Sequence, residues 1–436
     1  KKLIKCIKKR KVGEIIMLAI KPVINNIRDT KITQYLKSKG IKKQDINLNL
    51  IEWIDMLLRE GKVSEKEIND CVLTELLYGH RRLVRIYGLK NIRKIKREED
   101  WKKFLEKYDC QSLNFNNILH TTLMGNEKVR VCAISTKIEN QVIKRVQIIF
   151  VYNMTIKNKT NETISNCYTY IPVILDLEER IITLKVWNKE DGIEGSTPLD
   201  QLDIIMMELQ SVLEFETKIF SVDPQSVLYR MSKALFNDFF KNLPNVTELE
   251  NKKEFMPDIV NMLLQNIQLT NSKMKNGMKT MDVNVINVED EIYKLLQQIA
   301  LYDYLKDHDL ICLLQNTDRY ISRIKFSDID NLTASLNSEN GVKCIFDAKT
   351  FMCVRNSLDL VEQIVSIVVS FPNNSGRGIL SAKYDASDTR YLTIHILNNR
   401  YYTEDDFKKI WELYKKYEPN NAEISNVYIQ SNTKTM

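Results

Sequence analysis

Residues 129–188 contain four short runs that decide the fold, VRVCAIS (129–135), VQIIFVYN (146–153), TYIPVILDL (169–177) and RIITLKVWN (180–188). The runs are rich in apolar, β-branched and aromatic residues, and stretches with Asn and charged residues separate them. This pattern predicts β-strands. We therefore expect an α+β sheet module over residues 111–222, closed by a helix that begins at Thr197-Pro198.

A second group of strand-like runs follows residue 319, namely YISRIKF (320–326), LTASLN (332–337), VKCIFDA (342–348), ILSAKY (379–384) and YLTIHILN (391–398). Asn340-Gly341 separates two of these runs and predicts a tight hairpin turn. The run SLDLVEQIVSIVVSF (357–371) predicts a helix, and Thr403 to Asp406 can cap a final one. Residues 319–436 are therefore expected to form a second α+β module.

Helical periodicity dominates the rest of the chain. Residues 1–110 are predicted to form a basic helical domain, and residues 223–318 a helical segment with a flexible loop at 271–284. The predicted fold class is thus α+β. A helical N-terminal domain precedes two mainly antiparallel sheet modules, each followed by a helix, and a helical segment separates the two modules.

Positive charge is concentrated at the start of the chain. The first 100 residues contain 25 Lys+Arg and 13 Asp+Glu, a balance of +12, whereas the whole chain has a net charge of +7. The remaining residues therefore sum to −5. Such an asymmetry favours an anionic partner, most often a phosphate backbone.

The densest basic segment is HRRLVRIYGLKNIRKIKR (80–97), which contains no acidic residue. Its apolar residues recur at a spacing typical of a helix, so one side is expected to pack and the other to present cations. The alternative is an ordinary solvated helix face. The predicted nucleic-acid-binding residues are His80, Arg81, Arg82, Arg85, Lys90, Arg93, Lys94, Lys96 and Arg97.

Several other classes of protein have no support in the sequence. The eight cysteines are scattered without a CxxC motif, which is typical of reduced thiols in an intracellular protein, although the compartment stays open. No apolar run is long enough to cross a bilayer, so no membrane partner is expected. The four histidines have no metal-ligand spacing, and phosphate-binding glycine motifs are missing. No cofactor is therefore expected from the leading hypothesis.

One motif supports an enzymatic alternative. Asp330 precedes a run whose predicted hairpin partner carries Asp347-Ala348-Lys349, and a period of two places Asp347 and Lys349 on one strand face. Two carboxylates can hold Mg²⁺ while a lysine orients the attacking water. This arrangement resembles the PD-(D/E)xK nuclease motif. The resemblance implies catalytic roles for all three residues, metal binding by the two aspartates and a possible place in anti-phage defence. Surface side chains on an exposed hairpin are the alternative explanation.

A second resemblance covers about a third of the chain. The stretch LLREGKVSEKEINDCVLTELLYGHRRLVRIYGL (57–89) and the order of parts over residues 50–190 resemble the centromere protein N family of kinetochore proteins. The resemblance implies a helical domain followed by a sheet domain, and binding to chromatin. It would place Arg81, Arg82 and Arg85 near the DNA.

The leading hypothesis is therefore a non-enzymatic nucleic-acid-binding protein, with DNA preferred over RNA. Its basic N-terminal helices would engage the phosphate backbone, and its sheet modules would act as a scaffold. Two alternatives stay open. One is the Mg²⁺-dependent nuclease, and the other is a subunit of a protein assembly whose basic surface meets other protein subunits.

Overall fold

A computed structural model describes this protein. The structure describes residues 21–43, 48–124, 126–157, 163–188, 193, 195–218, 220, 223–266, 288–315, 317–327, 333–338, 343–346, 348, 350–372, 378–398 and 401–419. The chain divides into two compact units. The first comprises Lys1–Phe220 and Asp388–Lys408, and the second comprises Ser221–Ser387 and Lys409–Met436.

The described strands are β1 (Leu83–Leu89), β2 (Phe115–Asn116), β3 (Val129–Glu139), β4 (Val142–Lys157), β5 (Ile164–Asp176), β6 (Ile181–Val186), β7 (Thr217–Lys218), β8 (Tyr320–Ser327), β9 (Thr333–Asn337), β10 (Ser366–Phe371), β11 (Leu380–Asp385) and β12 (Leu392–Ile396). The described α-helices are α1 (Asp29–Ser38), α2 (Leu50–Arg59), α3 (Glu65–Leu77), α4 (Lys102–Lys107), α5 (Pro198–Leu213), α6 (Pro224–Lys241), α7 (Pro244–Asn251), α8 (Met256–Asn266), α9 (Val288–Asp307), α10 (Leu310–Gln315), α11 (Phe351–Val361) and α12 (Glu404–Lys416). The predicted α+β class is confirmed, with helices at the N-terminus before the sheet strands.

The first unit is built on one antiparallel sheet. Its strand order is β2-β3-β4-β5-β6-β1-β12, and β7 also pairs with β1. All four runs quoted from residues 129–188 lie on strands of this sheet, so those strand predictions are confirmed. Helix α5 covers one face and buries Leu202, Ile205 and Leu209 in the core. Thr197 caps this helix through the predicted Thr-Pro start.

Strand β1 occupies an interior position in that sheet. It pairs with β6 on one side and with β12 on the other, both antiparallel. The helix predicted for the basic segment is therefore wrong over Leu83–Leu89, all seven residues of which are buried. Apolar residues on both sides of the strand meet a covered sheet face, and pairing along both edges satisfies its backbone groups.

The second unit contains a smaller antiparallel sheet. Its strand order is β11-β10-β8-β9. Helix α6 packs on β8 and β10, and aromatic rings fill the space beside it. Phe239 and Phe346 lie 4.3 Å apart between ring centroids, and Phe236 contacts Phe351 at 5.2 Å.

Two predictions for this unit are wrong. The described residues 343–346 form bends and a turn, where VKCIFDA was expected to be a strand. The Phe346 ring takes part in the aromatic core beside α6, and this packing is incompatible with a free hairpin arm. Residues 357–371 were expected to be one helix, but α11 ends at Val361 and Ser366–Phe371 forms β10. The β-branched run Ile367-Val368-Val369 is fully buried between β8 and β11, where strand pairing overrides the helical periodicity.

Candidate nucleic-acid interface

The three arginines at the centre of the prediction are not on the surface. Relative exposure is 0% for Arg81, 8% for Arg82 and 2% for Arg85. The expectation that these side chains form an exposed cationic face is therefore wrong. Arg85 lies on β1, a strand with neighbours on both edges and only buried residues, and Arg81 and Arg82 lie directly before that strand.

Arg81 is held by main-chain oxygens. Its Nη1 donates to the Asn26 carbonyl at 2.5 Å, and its Nε donates to the Tyr170 carbonyl at 3.4 Å. Burial lowers the pKa of the Arg81 guanidinium to about 10, and Tyr402, Tyr170 and Glu75 partly oppose that shift. Arg81 therefore links the segments that contain Asn26 and Tyr170, and it cannot reach a phosphate in solvent.

Arg85 is fixed by side chains of the first unit. Its Nη1 forms an ion pair with Asp203 of α5 and donates to the Tyr87 hydroxyl at 3.2 Å. The guanidinium also lies over the Tyr391 ring, 4.1 Å from its centroid. The Arg85 guanidinium therefore has its partners within the first unit.

The lysines that follow β1 are exposed but paired with acids. Lys94 and Lys103 each lie 2.8 Å from a carboxylate oxygen of Glu214, and Lys90 lies 3.7 Å from Glu216. Hydrogen bonds from Lys103 and Lys94 lower the pKa of Glu214 to about 2. Arg93 and Arg97 are exposed and Lys96 is half-buried. This surface is therefore mixed in sign, and the predicted single cationic surface over residues 80–97 is not formed.

Among the predicted nucleic-acid-binding residues, His80 contacts a group of aromatic side chains. Its ring is stacked on Trp187, with centroids 4.4 Å apart and planes 11° apart. The Tyr401 ring meets His80 edge-on at 5.2 Å. Arg28 and Lys31 lie over the Tyr401 ring at 4.5 Å and 5.4 Å from its centroid. We call these five residues the aromatic–cation cluster.

The cluster lies at one end of the sheet in the first unit. Trp187 follows β6, His80 precedes β1, and Tyr401 comes after β12 in the chain. Arg28 and Lys31 belong to the start of α1, where Arg28 is the N-cap residue and is exposed. His80, Trp187 and Lys31 are half-buried, so parts of their side chains face solvent.

Gly79 makes this arrangement possible. Its backbone has φ +60, and a Cβ built there would lie 2.9 Å from the Tyr401 ring and 3.0 Å from the Glu75 carbonyl oxygen. The Gly79 amide donates to the Tyr402 carbonyl at 3.0 Å, which fixes the chain beside the cluster. A glycine is required here both for the left-handed backbone and for the close approach of the ring.

Two polar groups add to the chemistry of the cluster. The Tyr401 hydroxyl is buried and has no hydrogen-bond partner among the residues that the structure describes. Glu75 lies close enough to interact with the charges of Lys31, Arg81 and Arg28, although burial raises the pKa of its carboxyl overall. The local balance is therefore three cations against one carboxylate, and two of those cations, Arg28 and Lys31, belong to the cluster.

A buried lysine lies two residues before Trp187. The Nζ of Lys185 donates to the Leu77 carbonyl at 3.2 Å and lies 3.9 Å from the Tyr78 ring centroid and 4.4 Å from that of Phe407. Burial, reinforced by the charge of Arg145, lowers the pKa of Lys185 well below its usual value. No carboxylate forms a salt bridge with this amine among the described residues.

The proposed nuclease residues Asp330, Asp347 and Lys349 lie outside the described residues. The neighbouring Ile345, in a bend, donates its amide to the Ile321 carbonyl of β8 at 3.1 Å. Within the ranges that the structure describes, no group of three or more His, Cys, Asp or Glu side chains could hold a metal ion. The same ranges contain no helix with the length and apolar character that crossing a membrane requires.

Comparison with known proteins gives no relative from which a role could be transferred. No protein-family model matches the chain, and the search of curated proteins found no match.

The sequence reasoning missed four of the five cluster residues. Trp187, Arg28, Lys31 and Tyr401 were not among the predicted binding residues. The available signal was the position of Trp187 and Asn188 directly after a strand, where half-exposed side chains are common. The contact between residues 28–31, 80, 187 and 401 depends on the fold and has no local sequence pattern.

Proposed function

We propose that this protein binds nucleic acid, and that the contact is made at the aromatic–cation cluster. The observation that supports this proposal is the half-exposed stack of His80 and Trp187 beside Tyr401, with Arg28 and Lys31 on the Tyr401 ring. Planar rings next to cations suit the binding of nucleic acid, because the rings can stack on bases and the cations can contact phosphates.

The expected binding is moderate in strength and depends only moderately on salt. Arg28 and Lys31 can neutralise about two phosphates, and each neutralised phosphate contributes about 0.7–0.9 to the slope of log affinity against log salt. A slope of magnitude about 1.4–1.8 is therefore expected. A surface formed by the whole basic segment would give a much steeper slope, but its central arginines are buried.

The test is fluorescence anisotropy with labelled DNA and RNA oligonucleotides over a salt series. Arg28→Glu combined with Lys31→Glu should abolish binding, because it replaces attraction to phosphate by repulsion. The matched control is Arg93→Glu combined with Arg97→Glu, the same charge change at exposed arginines of the original basic segment. Loss of binding only in the control pair would contradict the proposal.

A triple change of Arg81, Arg82 and Arg85 to Glu is not informative. All three side chains are buried, and three unpaired carboxylates in this core would prevent folding. Loss of binding in that variant would report loss of structure. The two exposed pairs avoid this problem.

A second candidate function is that of a subunit in a protein assembly. Phe255, Ile259 and Met262 are 56%, 44% and 58% exposed, and their spacing places them in one row along α8 and the turn before it. The partner that we propose is a second copy of the chain. In a two-fold pairing centred on this row, each copy covers the three apolar side chains of the other.

Light scattering coupled to size exclusion tests this second function. The wild-type chain should form a dimer that Ile259→Asp converts to a monomer. Met207→Asp is the matched control, because Met207 is 61% exposed on α5. A monomer at high wild-type concentration would contradict the assembly role.

A further inference from the structure

We infer that the nucleic acid bound at the aromatic–cation cluster is single-stranded, and that an unpaired base continues the stack formed by His80 and Trp187. This inference rests on the proposed function and specifies its substrate class. It is carried by the near-parallel geometry of the two rings and by their partial exposure.

The two rings have the geometry of stacked bases. The His80 and Trp187 planes are 11° apart with a centroid distance of 4.4 Å, and both side chains are half-buried. A further planar ring can add to such a pair with little loss of side-chain entropy, because the ring orientations are already fixed. Every base has a π-face, so this contact requires no particular sequence.

Neighbouring residues hold the stacked pair of His80 and Trp187 in place. Tyr401 packs edge-on against His80 at 89°, and Gly79 lets the Tyr401 ring approach the chain directly before His80. Arg28 and Lys31 lie over the same Tyr401 ring, 4.5 Å and 5.4 Å from its centroid. One ring therefore separates the stacked pair from the cations, so one nucleotide could place its base on the stack and its phosphate near Arg28.

A duplex cannot make the same contact along its length. Its bases are paired and stacked on each other, and only the edges of the bases reach the grooves. Placing a duplex base on Trp187 would require that base to be unstacked, which opposes binding. A single strand offers its bases without that cost.

The experiment compares three labelled probes of about 12 nucleotides, a length within the range that single-strand sites cover. The first is a single strand, the second is its duplex, and the third is an abasic strand with the same phosphates and no bases. We expect the single strand to bind about tenfold or more tightly than either of the others, because one stacked base contributes about 1–3 kcal/mol.

Two variants locate the effect. Trp187→Ala should weaken single-strand binding about tenfold and leave duplex and abasic binding unchanged, whereas Trp187→Phe should keep most of the affinity because it keeps a ring. Thermal unfolding of both variants shows that they fold. Equal binding of the single and abasic strands, or an unchanged single-strand affinity in Trp187→Ala, would overturn the stacking inference while the proposed function stands. Absence of binding to every probe would overturn both.

Discussion

The His80 ring lies parallel to the Trp187 indole, 4.4 Å away between ring centroids. The two residues are far apart in the chain and belong to neighbouring strand ends in the sheet of the first unit. Their contact places in an aromatic stack a histidine that the sequence assigned to a basic helix. The arginines next to this histidine are used inside the fold.

Gly79 provides the first prediction. Gly79→Ala should destabilise the protein by at least about 1 kcal/mol more than Gly61→Ala, measured by urea unfolding. Both glycines have a left-handed backbone, at φ +60 and φ +67, but a Cβ has open space only at Gly61. The alanine at 61 therefore carries the conformational cost alone, and the alanine at 79 also displaces the Tyr401 ring. Equal losses in the two variants would show that the Tyr401 contact is not tight.

The turn between β3 and β4 provides the second prediction. Asn140 and Gln141 have φ +51 and +61, and they form a two-residue loop between Glu139 and Val142. Gln141→Gly should stabilise the protein by about 0.5–1 kcal/mol in thermal unfolding, because Gly removes the left-handed strain and suits this turn type. Asn140→Gly should gain less, since Asn tolerates this backbone better. A loss of stability in Gln141→Gly would contradict the turn geometry.

The pH dependence of stability tests Lys185. Its pKa is lower in the folded chain than its ordinary value of 10.5, so the unfolded chain binds more protons and stability rises with pH. Lys185→Met should therefore raise the free energy of unfolding at pH 7 by on the order of 1 kcal/mol. This gain should shrink as the pH rises through 10.5, above which the wild-type amine is neutral in both states. Lys37→Met, an exposed control, should change stability by less than about 0.5 kcal/mol at every pH.

The nuclease alternative leads to a direct assay. Supercoiled plasmid incubated with the protein and Mg²⁺ should stay intact, because residues 343–346 form a turn where the motif requires a strand. Asp347→Ala should behave like the wild-type protein. Plasmid cleavage by the wild-type protein that this variant abolishes would contradict the binding role and support the enzyme.

The sheet of the first unit could be predicted from local pattern because its strands are continuous apolar runs. Strand β1 could not be predicted from its local pattern. Leu83, Val84, Ile86, Tyr87 and Leu89 fit the apolar face of a helix as well as a buried strand. What decides between them is the pairing of β1 with β6 and β12, which come from distant parts of the chain.

The count of positive charges in residues 80–97 also led to a wrong prediction, for a physical reason. Sequence counts assume that arginines are exposed, but in the fold Arg81 lies against carbonyl oxygens and Arg85 against Asp203. The partners of these arginines lie on other segments, so their burial has no signature near residue 81 or 85. The cluster was unpredictable for the same reason, since its residues come from four separate stretches.

Photo-crosslinking followed by mass spectrometry locates the nucleic-acid contact most directly. A single strand carrying photoreactive bases, irradiated in complex with the full chain, should form adducts at His80, Trp187 or Tyr401. Adducts confined to residues 90–97, or to peptides of the second unit, would contradict the account.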